Sequence, residues 1–420
     1  MNIQASVHED PDLAQAVKKL ALEGYEGPGK AQFESIGKYR WLREIGTRLW
    51  LDTGDFEAAS KVYSREIEAL TTNNTLVNQV VQTGAMDDVI SYAARKMREI
   101  RPDVADHDLV IEIAFLVNAK LALGLVGKFG AHVSVELHPD TAFDVRQTLT
   151  FARRYYDINP DFFYIKVPLT PDGFIATRIL SSEGIPVNYT LGFSARQNYL
   201  AARFAKPMFV NVFLGRLNSL VEENGLGKPE NVGEKATLAS QEAVRAVRAA
   251  HKDTPTSQIA ASMRSGGQVP TLAGVDVFTM PPKVAREYLE MDVTKSDVRP
   301  RSAQDLRVEL SDTGLAKVID LSTLWTIDER VIAFVEDAVK QADELPTGRE
   351  LVRLAEEHEV DMFREWTAAE RQAIRAQGKI PDLSQWPGAP VDDLMSISAL
   401  ETFAKDQTAL DERIRGMLGS

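Results

Sequence analysis

The sequence predicts an α/β protein whose main part is a (β/α)8 barrel, also called a TIM barrel. Short runs rich in β-branched and aromatic residues recur before about residue 280, and we count eight of them. Each run leads through a polar turn into a segment with helical periodicity. Strands that alternate with helices pair in parallel, and eight such units close into a barrel.

The predicted strands end in turn residues that also suit the start of a helix. Asp52-Thr53-Gly54-Asp55 is one such turn, and its side chains can cap a helix that begins at Phe56. In chain order the predicted strands are Arg48–Leu51, Ile67–Thr71, His132–Leu137, the run around Lys166, Ile185–Thr190, Pro207–Phe213, Ser257–Ser262 and Gly274–Thr279. Further helices are predicted from Leu76 onward and over Met86–Ile100, Leu109–Val126, Thr141–Tyr155, Pro171–Glu183 and Val232–His251.

Three regions are expected along the chain: a helical N-terminal extension over residues 1–45, the barrel over 46–300 and a helical appendage over 301–420. The appendage is strongly charged, which fits either an interaction surface or solvated helical faces. Its predicted elements are helices over Asp328–Leu345, Gly348–Glu365 and Ala368–Gln377, a Pro-rich turn over Pro381–Pro390 and a last helix over Ser396–Met417.

Composition excludes several classes of protein. The 420 residues are 44% hydrophobic and 26% charged, and the net charge of −13 argues against nucleic acid as a partner. The chain contains no cysteine, so a disulfide framework and a thiolate metal site are excluded. It also lacks a signal-peptide pattern and a run of about 18 apolar residues, so we expect no membrane association and predict a cytoplasmic protein.

Lys166 is the residue that most strongly indicates chemistry. It stands in the run Phe162-Phe163-Tyr164-Ile165-Lys166-Val167-Pro168, which is typical of a strand buried on both faces. Burial disfavours the ammonium form, and the neutral amine can form a Schiff base with a ketone or an aldehyde. The alternative is a lysine at a strand end that reaches solvent or pairs with a carboxylate.

Polar residues stand at nearly every predicted strand end, where barrel enzymes carry their chemistry. They are Asp52, Asn73, Glu136, Lys166, Thr190, Asn211, Ser262 with Arg264, and Thr279. The ordinary explanations are helix capping for Asp52, Asn73 and Thr190, a lysine partner for Glu136, and surface exposure for Arg216 and Arg264. Together, however, a lysine, two carboxylates and two arginines at one barrel mouth suit a phosphorylated carbonyl compound.

Two further kinds of pattern, those typical of metal sites and those of nucleotide-binding loops, also bear on function. His132, Glu136 and His138 share one parity along a strand and could therefore hold a metal ion. No further histidine stands at a neighbouring strand end, so we expect no metal site. Neither a GxGxxG loop nor a Walker loop is present, and no nucleotide cofactor is expected.

Seven motifs resemble those of transaldolases, in order and with fitting spacing. The resemblance extends over about residues 46–295 and resumes at Phe403-Ala404-Lys405-Asp406-Gln407, which is similar to the family's final helix. The seven motifs are Leu51-Asp52-Thr53-Gly54-Asp55, Thr71-Thr72-Asn73, Val133-Ser134-Val135-Glu136, Ile165-Lys166-Val167-Pro168, Val187-Asn188-Tyr189-Thr190-Leu191-Gly192-Phe193-Ser194, Phe213-Leu214-Gly215-Arg216 and Ala261-Ser262-Met263-Arg264.

This resemblance implies a class I enzyme without a cofactor. It would move a dihydroxyacetone unit from a ketose phosphate, of the fructose 6-phosphate or sedoheptulose 7-phosphate type, to an aldose phosphate. The resemblance implies a Schiff base on Lys166, with Asp52 as the base that deprotonates the C4 hydroxyl. Glu136 and Thr190, with a water, would relay protons. The implied substrate-binding residues are Asn73, Asn188, Asn211 and Phe213 around the donor and Arg216, Ser262 and Arg264 at its phosphate.

Some positions depart from the family pattern. The related fructose-6-phosphate aldolases usually carry Gln and Tyr at the positions of Glu136 and Phe213, so the transaldolase pattern fits better. Asn211 stands where many transaldolases have serine, and Gly192 replaces a bulkier residue beside Thr190. These departures leave open a specialised transaldolase or aldolase for a modified ketose, such as a sulfonated or deoxy sugar.

Small-molecule sugar phosphates are the expected partners, and the sequence is compatible with a homodimer. A protein of a different class, a non-catalytic barrel that binds sugar phosphates, is the remaining alternative. The presence of Lys166, Asp52 and Glu136 together favours the enzyme, because a binding protein does not need all three.

Overall fold

The computed structural model of the chain describes residues 7–312 and 314–418, and it contains the predicted barrel. Each of eight parallel strands pairs with the next along the chain, and the eighth pairs with the first, so the sheet is closed. The (β/α)8 prediction is therefore confirmed. The strands are β1 Arg48–Asp52, β2 Ile67–Thr71, β3 His132–Glu136, β4 Phe163–Pro168, β5 Val187–Thr190, β6 Phe209–Phe213, β7 Ser257–Ala261 and β8 Val277–Met280.

Helices surround the barrel and extend it at both ends of the described chain. Those before and within the barrel are α1 Pro11–Leu22, α2 Gly37–Glu44, α3 Phe56–Ser60, α4 Asn74–Gln82, α5 Asp87–Ile100, α6 Asp106–Phe129, α7 Val145–Ile158, α8 Pro171–Ser182, α9 Ala195–Leu200, α10 Leu214–Glu223, α11 Val232–Ala250, α12 Gln268–Thr271 and α13 Pro282–Glu290. The later helices are α14 Glu329–Lys340, α15 Gly348–Glu357, α16 Ala368–Gln377 and α17 Val391–Leu418.

Inward-pointing side chains form an aromatic floor in the barrel. Trp50, Tyr164 and Phe209 come from β1, β4 and β6, which are not neighbours, yet their ring centroids lie 4.6 to 5.5 Å apart. They can meet only inside the barrel. Side chains alternate between the two faces of a strand, so the residues two positions further on also point inward, one layer above the floor. These residues are Asp52, Lys166 and Asn211.

Outward-pointing side chains pack against the helices and form the main hydrophobic core. Leu49 and Leu51 on β1 and Val133 and Val135 on β3 are fully buried in this layer. Among the described residues, α6 is the one helix that is long and apolar enough to cross a membrane, and 89% of its most apolar window is buried inside the protein. Apolar residues are distributed evenly around α6, a pattern that predicts a helix inside the core, and the burial agrees with this prediction.

Several predicted boundaries near the barrel differ from the structure: the strand predicted from Gly274 begins at Val277, and the helix predicted over Leu109–Val126 extends over Asp106–Phe129. Two further differences have a clear local cause. The helix predicted over Thr141–Tyr155 is preceded by a 3-10 turn over Pro139–Phe143, and α7 begins only at Val145. Asp144 separates the two, because its extended backbone and a hydrogen bond from the backbone N–H of Gln147 at 2.9 Å make it the N-cap of α7. The predicted strand Ile185–Thr190 is also too long, since β5 begins at Val187, after a proline that cannot donate to the sheet.

Of the three charged helices predicted in the appendage, α16 has the predicted bounds, whereas α14 and α15 are shorter than predicted. α14 ends at Lys340 instead of Leu345, and α15 ends at Glu357 instead of Glu365. Glu359 adopts a positive φ of 55°, a left-handed conformation in which an α-helix cannot continue.

The last helix is longer than predicted. α17 begins at Val391, directly after Pro390, instead of at Ser396. A proline is tolerated at a helix start, and the carboxylate of Asp392 in the first turn interacts favourably with the positive end of the helix dipole.

A buried ion pair fastens α17 to the barrel. The Asp392 carboxylate accepts hydrogen bonds from Arg196 Nε at 2.8 Å, from Arg196 Nη2 at 2.7 Å and from Ser194 Oγ at 2.7 Å. The side chains of Arg196 and Asp392 are 7% and 0% exposed. Ser194 and Arg196 follow β5, so the start of α17 is fixed beside the strand end that carries Thr190.

We expect Asp392→Asn to lower the free energy of unfolding by about 3 kcal/mol, because it leaves the buried guanidinium of Arg196 without its counter-charge. Urea unfolding followed by circular dichroism measures this change. Asp343→Asn is the matched control: Asp343 also pairs with an arginine, but its side chain is 95% exposed, so its loss should leave the midpoint unchanged. Equal midpoints for Asp392→Asn and the wild type would contradict the expectation.

Candidate active site

Lys166 lies at the carboxyl end of β4 with its side chain only 5% exposed. Its Nζ donates hydrogen bonds to Glu136 Oε2 at 3.1 Å and to the carbonyl oxygen of Thr72 at 3.0 Å. The strand register explains the ion pair, because Glu136 on β3 stands opposite Lys166 on β4. Lys166 therefore does not reach bulk solvent. It does pair with a carboxylate, and that carboxylate is itself a candidate catalytic group.

Two carboxylates flank the amine, and burial changes the acidity of both. Burial raises the pKa of Glu136, while the charge of Lys166 and its hydrogen bond oppose this rise and the charge of Asp52 adds to it. Burial also raises the pKa of Asp52. The charge of Lys166, a hydrogen bond from Thr71 and the charge of Arg264 each lower this pKa and offset part of the rise. Carboxyl groups with raised pKa values exchange protons closer to neutral pH, which is what general acid–base catalysis requires.

A cavity opens above the amine at the carboxyl ends of the strands. It brings together most of the predicted site residues, namely Asp52, Asn73, Lys166, Asn188, Asn211, Phe213, Arg216, Ser262 and Arg264. Glu136 and Thr190 do not border it. Glu136 lies beside Lys166 and borders a second, smaller cavity, and Thr190 stands opposite Pro168 in the sheet.

Two buried oxygen atoms on β5, the strand that pairs with the one carrying Lys166, have no hydrogen-bond partner among the described residues: Asn188 Oδ1 and Thr190 Oγ1. Asn188 stands opposite Lys166 in the sheet and donates from its amide nitrogen to Ser134 Oγ at 2.9 Å. Burying an unsatisfied polar atom costs about 1–3 kcal/mol, so such atoms mark places where a ligand or a water is held. The transaldolase resemblance implies a donor hydroxyl at Asn188 and a proton relay at Thr190.

Helix capping explains one strand-end residue but not the others. Asn73 caps α4, since its Oδ1 accepts a backbone N–H at 2.9 Å, and it also borders the cavity. The helices that follow β1 and β5 are capped by Asp55 and Ser194. Capping therefore does not account for Asp52 or Thr190.

The structure adds Thr71 to the site, a residue whose role the sequence did not reveal. Its hydroxyl donates to Asp52 Oδ1 at 2.8 Å and also lies 2.8 Å from the hydroxyl of Thr279. Thr71 stands opposite Asp52 in the pairing of β1 with β2. The one hint in the sequence was that Thr71 stands at a strand end, two positions before Asn73. The contact of Thr71 with Asp52 could not be predicted, because it depends on the register between β1 and β2.

Arg216 and Arg264 form a cationic end of the cavity. Arg216, in the first turn of α10, is 6% exposed, whereas Arg264 is exposed. Burial and the charge of Arg264 lower the pKa of Arg216 to about 10, and the charge of Asp406 partly offsets this effect. Gly215 permits the close packing here, since a Cβ at this position would lie 2.2 Å from the carbonyl oxygen of Ser262. The alternative of an ordinary surface cation therefore fits Arg264, which is exposed, but not Arg216, which is buried.

Asn211 and Gly192, the two departures from the family pattern, contact each other. The backbone N–H of Gly192 donates to Asn211 Oδ1 at 3.2 Å, and Asn211 Nδ2 donates to the carbonyl oxygen of Tyr189. A Cβ at position 192 would lie 2.2 Å from the carbonyl oxygen of Asn211. The two residues therefore form one structural unit that fixes the turn after β5, and this unit explains why a bulkier residue does not fit at position 192.

The alternative metal cluster is not formed. His132 lies at the amino end of β3, about 13 Å along the strand from Glu136, and its ring stacks on Tyr164 with centroids 4.8 Å apart. His138 Nε2 instead lies 3.3 Å from the carboxylate of Asp411. No group of three or more metal-ligand side chains occurs within residues 7–312 and 314–418.

Three further residues of the cavity wall come from the appendage. Lys379, in the segment after α16, and Thr402 and Phe403, on α17, border the same cavity as Lys166. Phe403 belongs to the motif that resembles the family's final helix, but Lys379 and Thr402 had no sequence signal. They are more than 200 residues away from Lys166 along the chain, and only the folded structure brings them together.

With its cavity at the carboxyl ends of eight parallel strands, the chain is a (β/α)8-barrel enzyme. Residues 49–345 match the family model described as Transaldolase/Fructose-6-phosphate aldolase. The chain is 28% identical over 330 residues to a transaldolase of Agrobacterium fabrum, covering 75% of this chain and 97% of that protein. It is 32% identical over 256 residues to a transaldolase of Rhizobium leguminosarum bv. trifolii, covering 59% of this chain and 76% of that protein. The chain therefore belongs to the transaldolase and fructose-6-phosphate aldolase family.

We expect Thr71→Val to move the acidic limb of the pH profile of kcat/KM to higher pH. The substitution removes a hydrogen bond that lowers the pKa of Asp52, so this pKa rises further and the ionised base is lost at a higher pH as the solution is acidified. The measurement is a transaldolase assay across the pH range.

Thr237→Val is the matched control for this shift. Thr237 is also fully buried, and its hydroxyl donates to a backbone carbonyl oxygen within α11, not to a carboxylate. Its profile should coincide with that of the wild type. An unchanged profile for Thr71→Val, or a shift toward lower pH, would contradict the assigned contact with Asp52.

Proposed function

We propose that this protein is a transaldolase that carries a dihydroxyacetone unit on Lys166, from a ketose phosphate of the fructose 6-phosphate or sedoheptulose 7-phosphate type to an aldose phosphate. The observation that carries the proposal is the buried Lys166 amine at the base of the cavity, 3.1 Å from the Glu136 carboxylate. Family membership supports it. The pentose phosphate pathway and the cytoplasm are the expected setting of this reaction.

The first step requires a neutral amine. Lys166 must release a proton, and Glu136 Oε2 is the nearest carboxylate oxygen able to accept it. A buried site favours the neutral amine and carboxylic acid over the separated charges. The amine then attacks the C2 carbonyl of the ketose and forms a carbinolamine. Its hydroxyl takes a proton from Glu136, directly or through a water held by Thr190, and leaves as water, which generates the iminium ion.

The second step breaks the C3–C4 bond. Asp52, which lies at the end of β1 and borders the cavity, takes the proton of the C4 hydroxyl as that oxygen becomes an aldehyde. The electron pair of the broken bond moves onto the iminium nitrogen and forms an enamine, so no free carbanion arises. Glyceraldehyde 3-phosphate departs when the donor is fructose 6-phosphate. An acceptor aldose then adds to the enamine by the reverse of this step, and hydrolysis of the new imine frees Lys166.

The remaining cavity residues would hold the substrate in register with these groups. Asn73 and Asn188 would bind hydroxyls of the donor. Arg216, Ser262 and Arg264 would bind its phosphate, for which the planar guanidinium forks of arginine are suited. Phe213 offers an apolar wall, since its ring packs edge-on against Phe193 and Phe403.

We expect borohydride, added together with fructose 6-phosphate, to fix the dihydroxyacetone unit or the ketose irreversibly on Lys166. Borohydride reduces an imine to a stable secondary amine, so peptide mapping by mass spectrometry locates the adduct. Lys166→Met should give no adduct and no turnover. Binding of fructose 6-phosphate without any label on Lys166 would refute the Schiff-base mechanism and favour a non-catalytic sugar-phosphate-binding barrel.

We expect Asp52→Asn to separate imine formation from bond cleavage. An amide cannot accept the C4 hydroxyl proton, so turnover should fall by about 10²-fold to 10⁴-fold. Borohydride should still label Lys166, because Lys166 keeps its hydrogen bonds to Glu136 and Thr72. Release of glyceraldehyde 3-phosphate at the wild-type rate would rule out Asp52 as the base.

A further inference from the structure

Asn118 is a buried polar residue in the middle of α6, the long apolar helix that packs against β3. It is 7% exposed, and the residues next to it in the helix, Val117 and Ala119, are fully buried apolar side chains. Burying an amide costs stability unless it forms a hydrogen bond. An apolar side chain would suit this place in the core, so the amide has to be explained by the bond that it makes.

The partner of this amide is the backbone of Glu136. Asn118 Nδ2 donates to the carbonyl oxygen of Glu136 at 2.9 Å. The pairing of β2 with β3 ends near Ser134, whose carbonyl oxygen accepts the backbone N–H of Thr72 at 3.2 Å. Carbonyl groups two residues apart in a strand point to the same edge. Asn118 therefore supplies, at Glu136, the donor that β2 no longer provides.

The other edge of the same strand end is held by β4. The backbone N–H of Leu137 donates to the carbonyl oxygen of Lys166 at 3.1 Å, and Glu136 stands opposite Lys166 in the sheet. Glu136 Oε2 lies 3.1 Å from Lys166 Nζ. The backbone at Glu136 is thus fixed on one side by the strand that carries the amine and on the other side by Asn118.

We propose that Asn118 is a positioning residue, which acts through the backbone of Glu136 to hold its carboxylate at the Lys166 amine. Proton transfer requires the two groups to stay within hydrogen-bond reach, and a small displacement lowers the rate strongly. Asn118 borders the smaller cavity, whereas the cavity above Lys166 is lined by other residues. Its effect on the reaction must therefore pass through Glu136. The inference rests on the proposed function, in which Glu136 relays protons during imine formation.

A double-mutant cycle tests this role. Asn118→Leu keeps the branched shape of the side chain but removes the donor, so the initial rate at which borohydride and fructose 6-phosphate label Lys166 should fall by about 10-fold. In a Glu136→Gln background, the same substitution should change this rate by less than about 2-fold, because residues that act as one unit are not additive. Asn118→Ala replaces Asn118→Leu in the cycle if the leucine variant does not fold.

Asn159→Leu is the matched control. Asn159 is 8% exposed, and its Nδ2 donates to the hydroxyl of Tyr25 at 3.3 Å, before the amino end of β4. Its loss should lower the free energy of unfolding but leave the initial labelling rate unchanged. The inference is overturned if Asn118→Leu labels Lys166 at the wild-type rate, or if it lowers the rate by the same factor with and without Glu136→Gln.

A titration of the Glu136 carboxyl group needs no sugar and no turnover. Carboxyl ¹³C NMR of protein labelled at glutamate follows it, and Glu136→Gln identifies the signal. Burial raises the pKa of Glu136, and the charge of Lys166 and its hydrogen bond offset part of this rise. A carboxyl group displaced from the amine loses this offset, so Asn118→Leu should move the midpoint to higher pH, whereas Asn159→Leu should not.

The titration also separates this inference from the proposed function. An unchanged Glu136 midpoint in Asn118→Leu overturns the positioning role even in an active transaldolase. If no ketose labels Lys166, or if Glu136→Gln labels it at the wild-type rate, the proposed mechanism fails. The titration still decides whether Asn118 holds Glu136 at Lys166.

Discussion

The site depends on a buried amine and two carboxylates that share the inside of a closed sheet. An uncompensated charge in such a place costs several kcal/mol, so the contact of Lys166 with Glu136 at 3.1 Å and with a backbone carbonyl at 3.0 Å is what allows the amine to be there. The aromatic floor of Trp50, Tyr164 and Phe209 fills the barrel below. The reactive groups therefore face the carboxyl ends of the strands, and the same burial that makes charges costly raises the pKa values of Asp52 and Glu136.

Most of this arrangement follows from two rules that a sequence can express. Side chains alternate along a strand, and all strands of a parallel barrel end at the same rim. A polar residue at a predicted strand end therefore belongs to the rim, which is how Lys166, Asp52 and Glu136 could be placed together. The contact between Thr71 and Asp52 could not be predicted, because it depends on the register of β1 against β2, and a slip of one residue would turn the side chain to the other face. Helix ends were mispredicted for a similar reason: the break at Asp144 is decided by a capping contact that competes with helical periodicity. The start of α17 at Val391 directly follows Pro390, where the periodicity of apolar residues gives no signal.

The two residues that depart from the family pattern have a structural role that the sequence alone does not show. Asn211 and Gly192, considered separately, point to a modified substrate. In the structure, the amide of Asn211 holds the backbone of the turn after β5, and the turn comes so close that only glycine fits at position 192. The pair therefore shapes the turn next to Thr190, and Asn211 also forms part of the cavity wall.

The last helix, α17, contacts several of the segments that follow the strands at the same rim of the barrel. Near its start, Asp392 of α17 binds the segment after β5 through Arg196. In its middle, Thr402 and Ser398 donate hydrogen bonds to the carbonyl oxygens of Gly378 and Lys379, in the loop beside Arg216. Further on, Gln407 accepts a hydrogen bond from Asn74 at 2.8 Å, in the helix whose cap is Asn73. One helix therefore contacts the segments after β2, β5 and β6, each of which carries a residue of the cavity or lies next to one. Because these contacts include a buried ion pair, and because Lys379, Thr402 and Phe403 border the cavity, the appendage is physically part of the active site. Its removal would alter the cavity as well as expose apolar surface.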